Sequence, residues 1–335
     1  VTFGAAISDA ESLRLTDDER ALFREMNPFG FILFARNIES ADQVRALCDD
    51  FREAVGRNCP ITIDQEGGRV QRLRAPLARE WMPPLDHAER AGEQAEHAMY
   101  LRYRLIAHEL FELGIDSNCA PMVDVARPET HAFLRNRCYG SDADSIAQLG
   151  RAVAQGHLDG GVLPVVKHMP GHGRATLDTH FDLPRVDLTL EELTQTDFAP
   201  FKALNDLPMA MTAHLVFEQI DPTPATISAP MIKVIREVIG FDGLVMTDDI
   251  TMKALSGSVP ERAVQALQAG CDVVLHCNGS FAERRDVLQA AGQMTEAARA
   301  RADRALAMRK KPAELDIEAT EAELSALMGG QVYER

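Results

Sequence analysis

Apolar and polar positions follow two rhythms along the chain. Eight short apolar runs read as strands: Thr2–Ile7, Gly30–Phe34, Pro60–Asp64, Ile115–Val123, Leu163–His168, Pro208–Ala213, Leu244–Asp248 and Asp272–Cys277. Several are apolar on both faces, as a buried parallel strand requires. Between them the spacing lengthens to that of helices. Over 95–113, Met99, Tyr103, Ile106, Leu110 and Leu113 recur at steps of four and three, and Gly114 then stops the helix. Over 145–158, Ile146, Leu149, Val153 and Gly156 repeat the pattern, and Thr189 followed by Glu192 is a capping box. Segments 229–239, 260–270 and 280–307 also read as helical. Eight strands alternating with helices predict a single (β/α)8 barrel over 1–310, carrying a C-terminal helical extension over 311–335 packed on it. An open doubly wound sheet is the alternative, and the lack of a G-x-G-x-x-G after the first strand weakens it.

Composition narrows the classes of function. Hydrophobic residues make up 46% and charged residues 26%, enough to build a core and incompatible with global disorder. The formal charge is 35 − 51 = −16, the wrong sign for nucleic acid or an anionic membrane as the main partner. No apolar run approaches the roughly 20 residues of a membrane span. The N-terminus lacks the basic and apolar regions of a signal peptide. The six cysteines are scattered without C-x-x-C, as in a protein kept reduced, so a cytoplasmic location is expected.

The ionisable residues cluster at strand ends. Asp64 ends the third strand, Asp124 follows the fourth, Lys167 and His168 end the fifth, His214 follows the sixth, and Asp248 and Asp249 end the seventh. In a barrel these positions converge on the C-terminal mouth, where such folds do their chemistry. The long segment from Met169 to Leu188 has neither rhythm, as expected of a functional loop. Within it, Asp178 stands two residues from His180, a spacing that lets a carboxylate orient an imidazole for proton transfer. Taken alone, that triplet reads more readily as a turn with a solvated histidine. After the third strand, Gly67 and Gly68 permit unusual backbone, and Arg69 and Arg72 follow; alone, this is a turn with a solvated charge pair. A metal-dependent hydrolase barrel is a rival. Pro170 and Gly171 keep His168 and His172 from sharing a helix face, and no H-x-H lies on the first strand, so no metal and no cofactor is expected.

Four segments carry a family resemblance: Ile63-Asp64-Gln65-Glu66-Gly67-Gly68-Arg69-Val70-Gln71-Arg72, Lys167-His168-Met169-Pro170-Gly171-His172-Gly173, Asp178-Thr179-His180, and Gly240 through Asp249. Together they resemble the family 3 glycoside hydrolases, most nearly the single-domain bacterial β-N-acetylhexosaminidases of the NagZ type. The chain departs from that pattern in Thr179, Thr247, Met169 and the Cys138-Tyr139 pair after Arg137. The resemblance implies a retaining hydrolase that removes terminal N-acetylglucosamine (GlcNAc). Asp248 would be the nucleophile and His180, paired with Asp178, the acid/base. Asp64, Arg72, Arg137, Lys167 and His168 would bind the sugar. It also implies a muropeptide or another GlcNAc glycoside as substrate, peptidoglycan recycling as the setting, and a monomer. A family 3 phosphorylase would use the same residues with phosphate in place of water. Strand periodicity turns Asp248 and Asp249 to opposite faces and does not choose between them; the resemblance selects Asp248. Arg69, Arg72, Arg137, Lys167 and Arg174 are expected to make the mouth locally basic, suited to an anionic muropeptide.

Overall fold

The computed structural model describes residues 2–175 and 183–333. Eight parallel strands close into a barrel: β1 (Gly4–Ser8), β2 (Pro28–Leu33), β3 (Ile61–Ile63), β4 (Ser117–Asn118), β5 (Leu163–Met169), β6 (Met209–Thr212), β7 (Leu244–Asp249) and β8 (Val273–Leu275). Strand β1 pairs with both β2 and β8, which completes the circle. All eight strands fall on the runs read from the sequence.

Two elements differ from expectation. The fourth strand is regular over only two residues of the run 115–123. Pro121 has no N–H to give the ladder. Bonds to β5 nevertheless continue irregularly, from Val165 N to Ala120 O, Lys167 N to Pro121 O and Val123 N to Lys167 O. The stretch 280–307 is two helices, Phe281–Ala291 and Glu296–Ala307. Gly292 ends the first with φ +59°, and Thr295 caps the second by accepting from Ala298 N.

Alternation along the strands divides the core into two layers. Inside the barrel lie Ile7, Leu163, Val165, Leu244, Met246, Val273 and Leu275. Their neighbours Ala6, Val166, Val245 and Val274 face the surrounding helices and join a larger cluster with Leu47, Phe51, Ile106 and Ile235. Helix Glu296–Ala307 brings Ala298, Ala302 and Ala305 to the inner cluster, at the end where strands begin. There Arg301 pairs with Asp242 and Asp272, just ahead of β7 and β8. Helix Ile317–Leu327 lies against helix Ala95–Glu112, with Leu324 fully buried. Arg79 bonds Glu321 at 2.6 Å, and the Tyr333 ring meets Trp81 edge-on at 5.3 Å. The same inside parity that seats Leu163 and Val165 carries on to Lys167, and that of Leu244 and Met246 carries on to Asp248. These two side chains therefore enter the barrel at its C-terminal end.

Among the described residues, no helix is long and apolar enough to cross a membrane. All six cysteines are free and buried.

Candidate active site

A cavity of about 350 Å³ opens at the C-terminal end of the barrel. It is lined by Asp64, Arg72, Arg137, Lys167, His168 and Asp248, six of the residues named from the sequence, along with Arg69, His172, Asp249 and several apolar side chains. Asp178 and His180 lie outside the described residues.

One wall is an array of paired charges. Lys167 Nζ is 3.0 Å from Asp64 Oδ1 and 2.6 Å from Glu66 Oε1. Arg72 Nη2 donates to Asp64 Oδ2 at 3.2 Å. Arg137 grips Glu66 with two bonds, Nε to Oε2 at 2.9 Å and Nη2 to Oε1 at 2.8 Å. Burial works against both carboxylates. Lys167 and Arg72 outweigh it at Asp64, and Arg137 and Lys167 at Glu66, so both groups stay ionised far below the usual range. Lys167 is shifted upward: its burial is overcome by the same two carboxylates.

The local fold explains how this wall is built. The segment after β3 turns back on itself as a short antiparallel hairpin, Gln65–Gly67 with Val70–Gln71. Gln65 pins it by accepting from Arg72 N and Leu73 N while donating to Leu73 O. That fold returns Arg72 to Asp64, eight residues earlier, and points Glu66 into the protein.

The opposite wall is different. Asp248 accepts a hydrogen bond from Asp249 N at 2.7 Å and has no ion pair among the described residues. Burial raises its carboxyl, but His214, His168, the Asp249 N–H and Lys167 prevail and hold it below the usual range. Asp249 accepts from Thr251 N and Thr251 Oγ1. Burial dominates there and pushes its carboxyl up to about 6. Both aspartates line the cavity, against the expectation from strand alternation. The β7–β8 register slips between Met246 and Asp249, which releases the last residue from strict parity. His214 braces this wall from behind, through Thr226 Oγ1 at 2.7 Å and by donating from Nε2 to the Asp249 carbonyl at 2.9 Å.

Between the walls, Asp124 gathers the loop after β5. It accepts from His168 Nδ1 at 2.7 Å and from His172 N at 2.6 Å. The rings of His168 and His172 meet edge to face at 5.4 Å. Among the described residues, neither ring nitrogen of buried His172 has a hydrogen-bond partner, and burial pushes this imidazole down to about 4. Ligand atoms of Asp124, His168 and His172 lie within 4.8 Å of one another, so the trio could hold a metal ion. A donor set of two imidazoles and a carboxylate suits zinc. The intervening Pro170 and Gly171 exclude a shared helix face but not this convergence, because a strand end and a tight loop bring the rings together instead.

The expected basic mouth is also corrected. Arg174 is committed to Asp197 at 2.7 Å and does not line the cavity. Arg69 lies 3.3 Å over the Phe133 ring and donates to the Phe133 carbonyl. Lys167, Arg72 and Arg137 are matched by Asp64 and Glu66, with Asp248 and Asp249 opposite. The mouth is a charge-compensated polar site. Sequence reasoning assigned no role to Glu66 or Asp124, though both lay in quoted segments or at a strand end. Their burial among cations and imidazoles depends on the hairpin and loop that no spacing rule reveals.

Comparison with known proteins gives the same direction. Residues 6–307 match the family described as Glycosyl hydrolase family 3 N terminal domain. A protein named Beta-hexosaminidase from Alkalilimnicola ehrlichii is 38% identical over 282 residues, covering 82% of this chain and 81% of that one. Native NagZ from Neisseria gonorrhoeae superposes with a TM-score of 0.86 at 28% identity, covering 100% of this chain and 99% of that one. NagZ of the same organism in complex with zinc ion superposes at 0.83 with 29% identity, covering 98% and 97%. The chain therefore belongs to glycosyl hydrolase family 3, and it is a glycoside hydrolase.

Proposed function

We propose that this enzyme is a retaining β-N-acetylglucosaminidase that removes terminal, non-reducing β-linked GlcNAc. Asp248 attacks the anomeric carbon and forms a glycosyl-enzyme. His180, oriented by Asp178, protonates the departing oxygen and then takes a proton from the water that releases the sugar. The observation that carries this reading is Asp248 itself. It is a half-buried carboxylate lining the cavity, held ionised, with Oδ2 free of hydrogen bonds among the described residues. A nucleophile needs that combination: charge at neutral pH and an oxygen not already spent on a neighbour. Asp64 accepts from sugar hydroxyls, and Lys167, Arg72, Arg137 and His168 donate to them. Each unmade bond would leave a buried polar group unpaired, which is how such a site rejects the wrong sugar.

The resemblance to NagZ supports an anhydro-muropeptide as the natural substrate, in cytoplasmic peptidoglycan recycling. Should an ion occupy the trio of Asp124, His168 and His172, it would supply Lewis acidity beside the cavity. No step of the proposed reaction passes through it.

The test compares aryl β-GlcNAc with aryl β-glucoside, followed by mass spectrometry of the enzyme quenched with a slowly released activated GlcNAc glycoside. Preference for the GlcNAc substrate and an adduct on the Asp248 peptide are expected. Preference for the glucoside overturns the sugar assignment, an adduct elsewhere overturns the nucleophile, and turnover that requires phosphate makes the enzyme a phosphorylase.

A further inference from the structure

We propose that Glu66 is a positioning residue for sugar binding: it sets the orientation of Arg137 and Lys167 from behind the cavity and keeps Asp64 available to the substrate. This rests on the sugar-binding role proposed above for those three residues. Glu66 is 1% exposed and does not line the cavity, so it acts only through its partners.

Both carboxylate oxygens of Glu66 are engaged. Oε1 takes Arg137 Nη2 at 2.8 Å and Lys167 Nζ at 2.6 Å, and Oε2 takes Arg137 Nε at 2.9 Å. Two parallel bonds between a guanidinium and a carboxylate fix the plane of the arginine. A lysine ammonium is a flexible point charge, but here it is pinned between Asp64 and Glu66.

The carboxylate is itself anchored through its backbone. The Glu66 carbonyl accepts from Arg102 Nη2 at 2.6 Å and from Tyr103 Oη at 3.1 Å, both on helix Ala95–Glu112. Arg102 reaches it because the next residue is glycine. A Cβ on Gly67 would stand 2.0 Å from Arg102 Nη2, and Gly67 has φ +109°. The helix thus holds Glu66 in place, and Glu66 holds the two cations.

Charge counting shows why the substrate would feel this. Lys167, Arg72 and Arg137 face two carboxylates, Asp64 and Glu66. Removing the Glu66 charge leaves three cations for Asp64 alone. Its oxygens would then be taken by protein donors rather than by sugar hydroxyls, and Arg137 would lose its fork.

The test is steady-state kinetics on an aryl β-GlcNAc glycoside, with GlcNAc as competitive inhibitor. The proteins are the wild type, Glu66→Gln, Glu66→Asp, Arg137→Gln and the Glu66→Gln/Arg137→Gln double variant. In Glu66→Gln, KM and the GlcNAc inhibition constant should both rise about tenfold or more, with kcat within about threefold. Glu66→Asp keeps the charge but is too short to hold both cations, and should show a rise of about threefold. The double variant should lose less than the product of the single losses, since both act on one unit. An unchanged KM and inhibition constant in a folded variant, a loss confined to kcat, or multiplicative losses would each overturn the proposal. If Glu66→Gln does not fold, Glu66→Asp decides by the same two constants. Absent wild-type turnover overturns the proposed function and this inference with it, whereas wild-type turnover with unaltered Glu66 variants overturns this inference alone.

Discussion

The two walls of the cavity hold carboxylates in opposite ways. On the β3–β5 side, Asp64 and Glu66 are saturated by Lys167, Arg72 and Arg137, and each oxygen has a cationic partner at 2.6–3.2 Å. On the β7 side, Asp248 and Asp249 have no ion pair among the described residues, and their neighbours are an N–H, a hydroxyl and imidazoles. A cation-paired array is rigid, so it can present its donors and the remaining acceptor sites of Asp64 to hydroxyls at fixed positions, but its carboxylates are neutralised by their partners. A carboxylate without a cationic partner keeps an oxygen for attack. The contrast supports the proposed division, with binding on the first wall and chemistry on the second. It also explains why the same residue type, Asp, can play both parts within one cavity: the partners differ.

The largest effect should come from the chemical wall. Asp248→Asn keeps the shape and removes the nucleophile, so kcat should fall about 10⁴-fold or more while the thermal transition is retained. An active Asp248→Asn beside a dead Asp249→Asn would reverse the assignment of the two aspartates. Next is His180→Ala, with a loss of about 10²–10⁴ for substrates with poor leaving groups and a smaller loss for nitrophenyl-type leaving groups that need little protonation. Equal losses for both kinds would remove the acid role. The binding wall should respond differently. Lys167→Met leaves Asp64 and Glu66 partly unpaired and should raise KM about 10–100-fold, with a lower melting temperature. If it lowers kcat alone, the division between walls is wrong.

How far the sequence foretold this arrangement depends on the kind of information each feature needs. The eight strands were legible because burial on both faces forces apolar runs, and the polar residues at their ends stood out against those runs. Lys167 and Asp248 could even be placed inside the barrel by counting in twos from Leu163 and Leu244. Helices Asp17–Met26 and Ala41–Val55 lie outside the segments read as helical, though the sequence carries their start signals: Thr16 with Glu19 forms a capping box and Ser40 caps the second. Glu66 was beyond reach for another reason. Its neighbours Arg137 and Lys167 lie 71 and 101 positions away in the chain, and only the hairpin turned by Gly67 brings its carboxylate to them. The same holds for Asp197, whose pairing with Arg174 and Arg127 removed a cation expected at the mouth. Charges counted along a chain do not show how they pair.

Asp249 offers the smallest effect and the finest test of the comparison. Its carboxyl is raised to about 6 by burial, from an ordinary value of 3.8. Between those two pH values the folded protein binds more protons than the unfolded chain, so stability falls as pH rises through this window. At pH 7 the folded state carries an ionised, half-buried carboxylate with no ion pair among the described residues, which opposes folding. Asp249→Asn removes that charge; the amide oxygen still accepts from Thr251 N, and the amide NH2 donates to the Thr251 hydroxyl, which rotates to accept. The variant should therefore melt a few °C above the wild type at pH 7, with the gain shrinking toward zero near pH 4, where the wild-type group is protonated. The opposite sign is expected for the saturated wall. Asp64 is held below its ordinary value, so its contribution is present at neutral pH and lost on acidification, and Asp64→Asn should melt lower at pH 7. Differential scanning calorimetry of the two variants at pH 4 and pH 7 checks both signs. If Asp249→Asn also destabilises at pH 7, the β7 carboxylates are stabilised by partners after all, and the two walls do not differ in the way proposed.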